Sequence, residues 1–282
     1  MLITIAIPTY NNAKTVSKAI ESALKQNTSE AYEILIVNNA SKDNTADVIS
    51  VYKDSKLRIV ENPETVDMYS NHNICLKEAK GDYVLFCHSD DALLPNAIDI
   101  LSERIRLRGC PERYILWGHS AYRDYFYNIQ RGGQQVNTMF SGAAAIRSFV
   151  GGGLTPSGTC YSRKSLLDLG GFPTTTHRVA EMDWAVLIYT AFNFFEYEMI
   201  DRIYFKRLEA STAVGSLSKK DWKDIHLSTY KSLFPLLSDN QRETFLSVIL
   251  FYGPKDKVCS VKEFIPRKKY YYMRLRRFFS NK

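Results

Sequence analysis

This sequence lacks the features that define several large classes of protein. It has no run of about 18 apolar residues, the length that a membrane-spanning helix needs. Its N-terminus has no basic segment and reaches Pro8 too early for a signal peptide, so we expect these residues to form a strand. The five cysteines include no C-x-x-C motif and no paired spacing. This favours reduced thiols and a cytoplasmic protein.

Two common nucleotide-binding motifs are also absent. The chain contains no G-x-G-x-x-G and no G-x-x-x-x-G-K-[ST], so it has neither the dinucleotide fingerprint nor a P-loop.

Positive charge is concentrated at one end of the chain. Residues 261–282 contain eight Lys and Arg residues and one acid, Glu263, so this segment accounts for the whole net charge of +7. The remaining residues are neutral overall, and we therefore expect no nucleic-acid partner.

The N-terminal third alternates apolar segments with amphipathic ones. We predict strands at residues 3–7, 32–37, 57–60 and 83–87, with helices over residues 13–25, 46–52 and 66–79 between them. This order is typical of an α/β fold with a mostly parallel central sheet, and strands that are apolar throughout indicate burial on both faces.

The rest of the chain continues with mixed elements. We predict helices over 95–108, 140–150, 165–169, 180–192, 222–237, 240–252 and 261–279, and strands over 114–118, 158–161, 194–199 and 202–208. The glycine-rich residues 151–158 suit either a lid or a plain surface connection. We expect two parts, an α/β domain over 1–210 and a C-terminal helical extension with a basic, aromatic tail over 211–282.

Polar turns follow three of the predicted strands, at residues 9–12, 38–45 and 88–91. Open α/β sheets bind ligands at the carboxyl ends of their strands. In the third turn, Asp90 and Asp91 follow a buried strand directly, and paired carboxylates suit a divalent cation. The alternative is that Asp90 caps the next helix and Asp91 is solvated.

Five short sequence motifs follow one another between residues 7 and 172. The longer ones are I-P-T-Y-N at residues 7–11, I-V-N-N-A-S-K-D-N-T at 36–45, and N-H-N-I-C-L followed by A-K-G-D-Y at 71–83. H-S-D-D lies at 88–91, and G-T-C-Y-S-R followed by G-G-F lies at 158–172. Together they resemble the inverting GT-A glycosyltransferases of family 2, which use nucleotide-sugar donors. Asn38, Asn39, His72 and His88 differ from the residues common in that family.

The resemblance implies a GT-A fold and a donor site. Asp91 would bind Mn²⁺ or Mg²⁺, Asp90 would contact the ribose or the metal, and His88 is a further candidate metal ligand. The implied nucleotide-binding residues are Pro8, Thr9, Tyr10, Asn11, Asn38, Asn39, Ser41, His72, Asn73 and Asp90. Asn39 occupies the position of an Asp that recognises uracil, and an amide can both donate and accept there. His72 either reaches a phosphate or packs within its helix.

The resemblance also implies a catalytic base. When Trp184 and Ala191 are aligned with the family, Asp183 corresponds to the carboxylate that deprotonates the acceptor hydroxyl. A shift of one position would give this role to Glu181. Trp184 either lines the acceptor pocket or belongs to the core.

The basic tail and the function remain open to more than one interpretation. Residues 268–279 mix cations with aromatics, which suits a helix lying on the inner face of the membrane or a solvated helix packed on the domain.

We expect a UDP-sugar donor and a glycan acceptor, with a lipid-linked glycan as one form of it. The alternatives are a catalytically silent carbohydrate-binding or scaffolding domain, and a sugar nucleotidyltransferase. A sugar nucleotidyltransferase usually carries a basic, glycine-rich phosphate loop, which residues 8–16 lack.

Overall fold

The computed structural model describes residues 1–122, 125–127, 136–150, 154–174, 181–208, 218–267 and 270–271. Ten described strands form one sheet. They are β1 (Ile3–Thr9), β2 (Tyr32–Asn38), β3 (Leu57–Glu61), β4 (Tyr83–Phe86), β5 (Asp91–Leu93), β6 (Tyr114–Tyr122), β7 (Tyr125–Tyr127), β8 (Met139–Ser141), β9 (Thr159–Ser162) and β10 (Glu196–Arg207).

The sheet is mostly parallel along its main path, which runs β3-β2-β1-β4-β9-β6-β10-β5. Strand β1 pairs in parallel with β2 on one side and with β4 on the other. Strands β5 and β9 run against their neighbours. Strand β7 pairs with β6 and β8 pairs with β10. The α/β class and the mostly parallel sheet are thereby confirmed.

Helices cover both faces of the sheet. They are α1 (Val16–Leu24), α2 (Thr45–Ser50), α3 (Met68–Glu78), α4 (Ala97–Leu107), α5 (Gly142–Phe149), α6 (Arg163–Asp168), α7 (Met182–Phe192), α8 (Lys219–Leu233), α9 (Asp239–Tyr252) and α10 (Lys255–Val261). Ile5 and Ile7 of β1 pack with α1 and α4, whereas Ala6 between them packs with α3 and α7. This alternation explains why β1 is mostly apolar, because successive side chains enter opposite cores.

Two predicted segments are wrong in detail. Asp90 does not cap the next helix, because residues 91–93 form β5, a strand that was not predicted, and α4 begins only at Ala97. The two strands predicted over 194–208 are one strand, β10, whose pairing with β6 is irregular between Ile200 and Ile203. The exposed residues 201–202 lie at this irregularity, and they account for the polar break in the sequence.

The C-terminal helices share a core with the sheet. Tyr230, Phe245 and Val261 belong to the same buried cluster as Trp184 of α7. The predicted helix over 261–279 is wrong at its start, because α10 ends at Val261 and a 3₁₀ turn follows it. Most of the tail, residues 268–269 and 272–282, lies outside the described residues. Among the helices that are described, we find none with the length and hydrophobicity of a membrane span.

Candidate active site

The carboxyl ends of β1, β2 and β4 bring the three predicted polar turns to one edge of the sheet. Asn39 N–H donates to the Thr9 carbonyl at 2.8 Å, which joins the first turn to the second. The Asn12 side chain donates to Ser89 Oγ, which joins the first turn to the third. The predicted convergence of these turns therefore occurs in the structure.

The third turn gathers three side chains that can bind a metal ion. Ligand atoms of His88, Asp90 and Asp91 all lie within 4.8 Å of one another. Ser157 Oγ donates to Asp91 Oδ2 at 2.7 Å and accepts from the His88 backbone N–H at 2.9 Å. Ser157 therefore orients the Asp91 carboxylate. It follows the glycine-rich residues 151–153, which lie outside the described part of the chain.

The electrostatics of this cluster favour a cation. Burial raises the pKa of the Asp91 carboxyl to about 7, against the hydrogen bond from Ser157, and the charge of Asp90 adds to the rise. Two adjacent carboxylates, one of them buried, are destabilised as a charged pair, and a divalent cation removes that cost. The donor set of two carboxylates and an imidazole thus fits the Mn²⁺ or Mg²⁺ that the sequence resemblance implies.

The first turn presents an aromatic side chain at its surface. Tyr10 is 42% exposed, whereas Pro8 and Thr9 are buried at the end of β1. Asn11 adopts a left-handed conformation with φ of 51°. Its backbone N–H donates to Ser41 Oγ at 3.0 Å, and its Oδ1 accepts from the Lys42 backbone N–H at 2.7 Å. Asn11 and Ser41 therefore stabilise the turn, and Tyr10 is the side chain that is free to contact a ligand.

The side chain of Asn39 is already engaged within the protein. Its Oδ1 accepts from Asn62 Nδ2 and from the Val66 backbone N–H, both at 2.9 Å. Its Nδ2 donates to the Val66 carbonyl at 2.8 Å. Both acceptor positions of Oδ1 are occupied, so the expectation that Asn39 both donates to and accepts from a uracil edge does not hold in this structure. Only one N–H of Asn39 is left for a nucleobase.

Asn38 and Asn73 are also held by local hydrogen bonds. Asn38 donates to Glu61 at 2.8 Å and is 1% exposed. Asn73 donates to the Phe172 carbonyl at 2.9 Å and accepts from the Phe172 N–H at 2.8 Å, which joins α3 to the loop after α6. Both residues therefore stabilise the local structure around the site through these hydrogen bonds.

Helix α3 contacts two parts of the site. Asp67 caps its N-terminus by accepting from two backbone N–H groups, at 3.0 and 3.1 Å. Tyr69 in the first turn donates its hydroxyl to Asp183 Oδ1 at 3.3 Å, and His72 one turn later contacts His88. Since residues three apart share a helix face, α3 places Asp183 and the metal-binding cluster on the same side of the molecule.

Asp183 lies in the first turn of α7 and is partly exposed. Burial raises the pKa of its carboxyl to about 6, and the charge of Glu181 adds to the rise. A carboxylate with this pKa is ionised at neutral pH and is more basic than an ordinary aspartate.

Glu181, the alternative base, is occupied by two partners. Its Oε1 accepts from Lys257 Nζ at 2.9 Å and its Oε2 lies 2.9 Å from His226 Nδ1. Burial alone would raise the pKa of Glu181, but the hydrogen bond from His226 and the charge of Lys257 outweigh burial and lower it. Glu181 is therefore a member of an ionic cluster, which leaves Asp183 as the available base.

Trp184 does not line a pocket. It is fully buried, its Nε1 donates to the Phe149 carbonyl, and its ring packs against Tyr230 and Phe245. The acceptor-pocket interpretation is corrected to the core interpretation, because α8 and α9 pack over this part of α7 and bury the Trp184 ring.

Three residues of this site were not identified from the sequence, namely Tyr69, Ser157 and Arg207. Arg207 at the end of β10 lies directly opposite Asp91 in an antiparallel pair, and its charge lowers the pKa of both Asp91 and His88. No sequence signal marks these residues, because strand pairing and helix packing bring them to the site from distant positions.

Comparisons with known proteins identify the family of this chain. Residues 4–149 match the family model described as Glycosyl transferase family 2. The Escherichia coli protein WfgD, named UDP-Glc:alpha-D-GlcNAc-diphosphoundecaprenol beta-1,3-glucosyltransferase, is 32% identical over 35% of this chain and 39% of its own length. The chain spans 60% or less of the length of the first curated relatives that it matches.

Solved structures share the fold at low sequence identity. TarS from S. aureus in complex with UDP-GlcNAc has a TM-score of 0.68 at 16% identity, over 98% of this chain and 88% of that one. Mannosyltransferase PcManGT from Pyrobaculum calidifontis, in complex with GDP-Man and Mn²⁺, has a TM-score of 0.57 at 17% identity, over 98% and 84% of the two chains. These likenesses confirm the GT-A fold. Because the family model covers more than half of the chain, the chain belongs to glycosyl transferase family 2.

Proposed function

We propose that this chain is a metal-dependent, inverting glycosyltransferase that moves a sugar from a UDP-sugar to a hydroxyl of a glycan. The observation that carries the proposal is the arrangement around α3. Tyr69 contacts Asp183, a carboxylate suited to act as a base, and His72 contacts a cluster suited to bind a cation. A glycosyl transfer with inversion needs these two functions side by side.

The residues divide the reaction between them. Asp183 accepts the proton of the acceptor hydroxyl as the oxygen attacks the anomeric carbon, and the Tyr69 hydroxyl holds the carboxylate in place. Asp90, Asp91 and His88 would hold Mn²⁺ or Mg²⁺, which acts as a Lewis acid on the diphosphate leaving group. Arg207 pairs with Asp91 across the strands and its charge lowers the pKa of that carboxyl, so its guanidinium would contact the same phosphates. Tyr10 packs against the nucleobase.

The donor and the acceptor are proposed on chemical similarity. The name of the E. coli relative contains a UDP-sugar and a diphosphoundecaprenol-linked acceptor, and TarS binds UDP-GlcNAc. A lipid-linked glycan also agrees with the basic, aromatic residues 261–282, which suit an anionic membrane surface. We propose residues 1–210 as the catalytic domain and residues 211–282 as a helical extension packed on it.

Hydrolysis of the donor without an acceptor tests the proposal. UDP-, GDP- and dTDP-sugars are each incubated with the protein, with Mn²⁺ or with EDTA. We expect metal-dependent release of UDP, which Asp91→Asn abolishes and Asp168→Asn, an exposed carboxylate on α6, leaves unchanged. If no nucleotide is released and calorimetry detects no donor binding, the chain is a silent domain and the proposal is wrong.

A further inference from the structure

The imidazoles of His72 and His88 are in direct contact. Their Nε2 atoms lie 2.9 Å apart, and the rings meet edge to face with centroids 5.1 Å apart. Two nitrogens at this distance share one proton, so one ring donates and the other accepts. The direction of this hydrogen bond decides which nitrogen of His88 keeps its lone pair.

Met68 sets that direction. Its carbonyl oxygen lies 2.7 Å from His72 Nδ1, and a carbonyl can only accept, so His72 carries its proton on Nδ1. The His72 ring is 2% exposed and packs against Phe86 and Phe172, with centroids 4.9 and 5.6 Å away. This apolar burial disfavours an imidazolium, so His72 is neutral and its Nε2 accepts. His88 must then donate from Nε2, which leaves the lone pair on His88 Nδ1.

A metal-binding histidine normally has such a partner. The ring nitrogen that does not bind the metal donates its proton to a neighbouring acceptor, and that contact fixes both the tautomer and the orientation of the ring. The chain of contacts from His88 through His72 to the Met68 carbonyl has this form. At its outer end, His88 lies with Asp90 and Asp91, whose ligand atoms are within 4.8 Å.

We propose that His72 is a positioning residue for the cation site, because it holds His88 in the tautomer that presents Nδ1 to the metal ion. This inference rests on the metal-dependent function proposed above. The tautomer makes the imidazole of His88 a nitrogen ligand beside the two carboxylates. Mg²⁺ prefers oxygen ligands, whereas imidazole binds transition ions well, so the site selects Mn²⁺ or Co²⁺ over Mg²⁺.

Electron paramagnetic resonance of Mn²⁺ tests this role directly. The full chain is titrated with Mn²⁺, alone and with UDP, and electron spin-echo modulation reports any ¹⁴N nucleus bound to the ion. We expect ¹⁴N modulation in the unaltered protein and its loss in His88→Phe, which also weakens Mn²⁺ binding more than Mg²⁺ binding. The matched control is His119→Gln, because His119 lies on β6 and pairs with Asp201. It should change neither the ¹⁴N modulation nor the Mn²⁺ affinity.

Two substitutions of His72 separate positioning from a packing effect. His72→Phe keeps the ring but removes the acceptor, so we expect Mn²⁺ affinity to fall about 10- to 100-fold, as for other residues that orient a metal ligand. His72→Gln offers an amide oxygen to His88 Nε2 and should restore most of the affinity and the ¹⁴N modulation. Circular dichroism checks that both variants fold.

Each contrary outcome is distinct. If Mn²⁺ binds and Asp91→Asn abolishes binding, but no ¹⁴N modulation appears, His88 is not a ligand and this inference is wrong while the metal site stands. If His72→Phe retains the affinity and the modulation, the positioning role is wrong. If the unaltered protein binds no Mn²⁺ with or without UDP, the metal site itself fails, and this inference fails with it.

Discussion

Lys257 Nζ lies 2.9 Å from Glu181 Oε1 and 4.0 Å from the centre of the Trp184 ring. Lys257 belongs to α10 and Glu181 immediately precedes α7, so this ion pair joins the C-terminal helices to the helix that carries Asp183. The lysine side chain is 4% exposed and the glutamate side chain 20%. A charge buried to this degree depends on its partner.

We therefore expect Lys257→Met to destabilise the protein. The substitution leaves the Glu181 carboxylate with the hydrogen bond from His226 but without its ion-pair partner, and we expect the free energy of unfolding to fall by about 3 kcal/mol. Chemical denaturation measures the change. Lys255→Met is the matched control, because Lys255 is exposed on the same helix, and it should stay within about 0.5 kcal/mol. Equal stability of the two variants would show that the ion pair contributes nothing.

Asp183→Asn should remove the general base. We expect kcat to fall about 10²- to 10⁴-fold while donor binding is retained, because the carboxylate acts on the acceptor hydroxyl. Steady-state kinetics with calorimetry of UDP binding measure both quantities. Asp168→Asn serves as the control. A variant that loses donor binding and kcat together would instead indicate a structural role.

The pH dependence follows from the same group. Burial raises the pKa of Asp183 to about 6, and a base must be ionised to accept a proton, so kcat should rise with pH through an inflection near 6 and level off above it. A pH–rate profile under saturating substrates measures this. Activity that falls as the pH increases from 5 to 7 would contradict the assignment.

Ser157→Ala should weaken metal binding. The serine hydroxyl orients Asp91, and loss of a residue that orients a metal ligand typically costs about 10- to 100-fold in affinity. Calorimetric titration with Mn²⁺ measures the change. Ser55→Ala, at an exposed serine, should have no effect. Unchanged affinity in Ser157→Ala would show that Asp91 is oriented without the hydroxyl.

Arg207→Gln should weaken binding of the donor diphosphate. Arg207 lies opposite Asp91, and a charge-assisted hydrogen bond of about 1.5–3 kcal/mol corresponds to a 10- to 100-fold higher Kd for UDP. Lys206→Gln is the matched control, since adjacent residues of a strand point to opposite faces. If both substitutions reduce UDP binding equally, the effect is one of net charge and Arg207 has no specific role.

The basic tail should bind anionic membranes. Tyr270 packs into the core and Tyr271 is 53% exposed, so the membrane contact is expected from the residues that follow. Each basic residue near an anionic surface contributes about 1 kcal/mol, so reversing Arg274, Arg276 and Arg277 to Glu should weaken binding at least about 100-fold. Sedimentation with phosphatidylglycerol vesicles measures it, with phosphatidylcholine vesicles as the control. If the unaltered chain remains in the supernatant, the tail is a solvated helix.

Local patterns in the sequence were enough to predict the fold class and the first strands of the central sheet. Residues 3–7 and 32–37 are apolar except for Thr4 and Glu33, because both faces of their strands are buried, and this property is visible without a structure. The same reasoning placed Asp90 and Asp91 in the polar segment that follows β4 and Asp183 at the start of α7, since strand ends and helix starts are marked by local sequence.

The surroundings of those carboxylates depend on contacts between residues that are distant along the chain. From the sequence, both Trp184 and Asn39 were candidates for ligand binding. In the structure, Trp184 packs against α8 and α9. Asn39 is hydrogen-bonded to Asn62 and Val66. Ser157 and Arg207 reach Asp91 through strand pairing and loop packing across the sheet. Hydrogen bonds and pKa shifts depend on neighbours that are distant along the chain. Local sequence patterns were therefore enough to locate the reactive carboxylates, whereas long-range contacts decide which side chains are free to react.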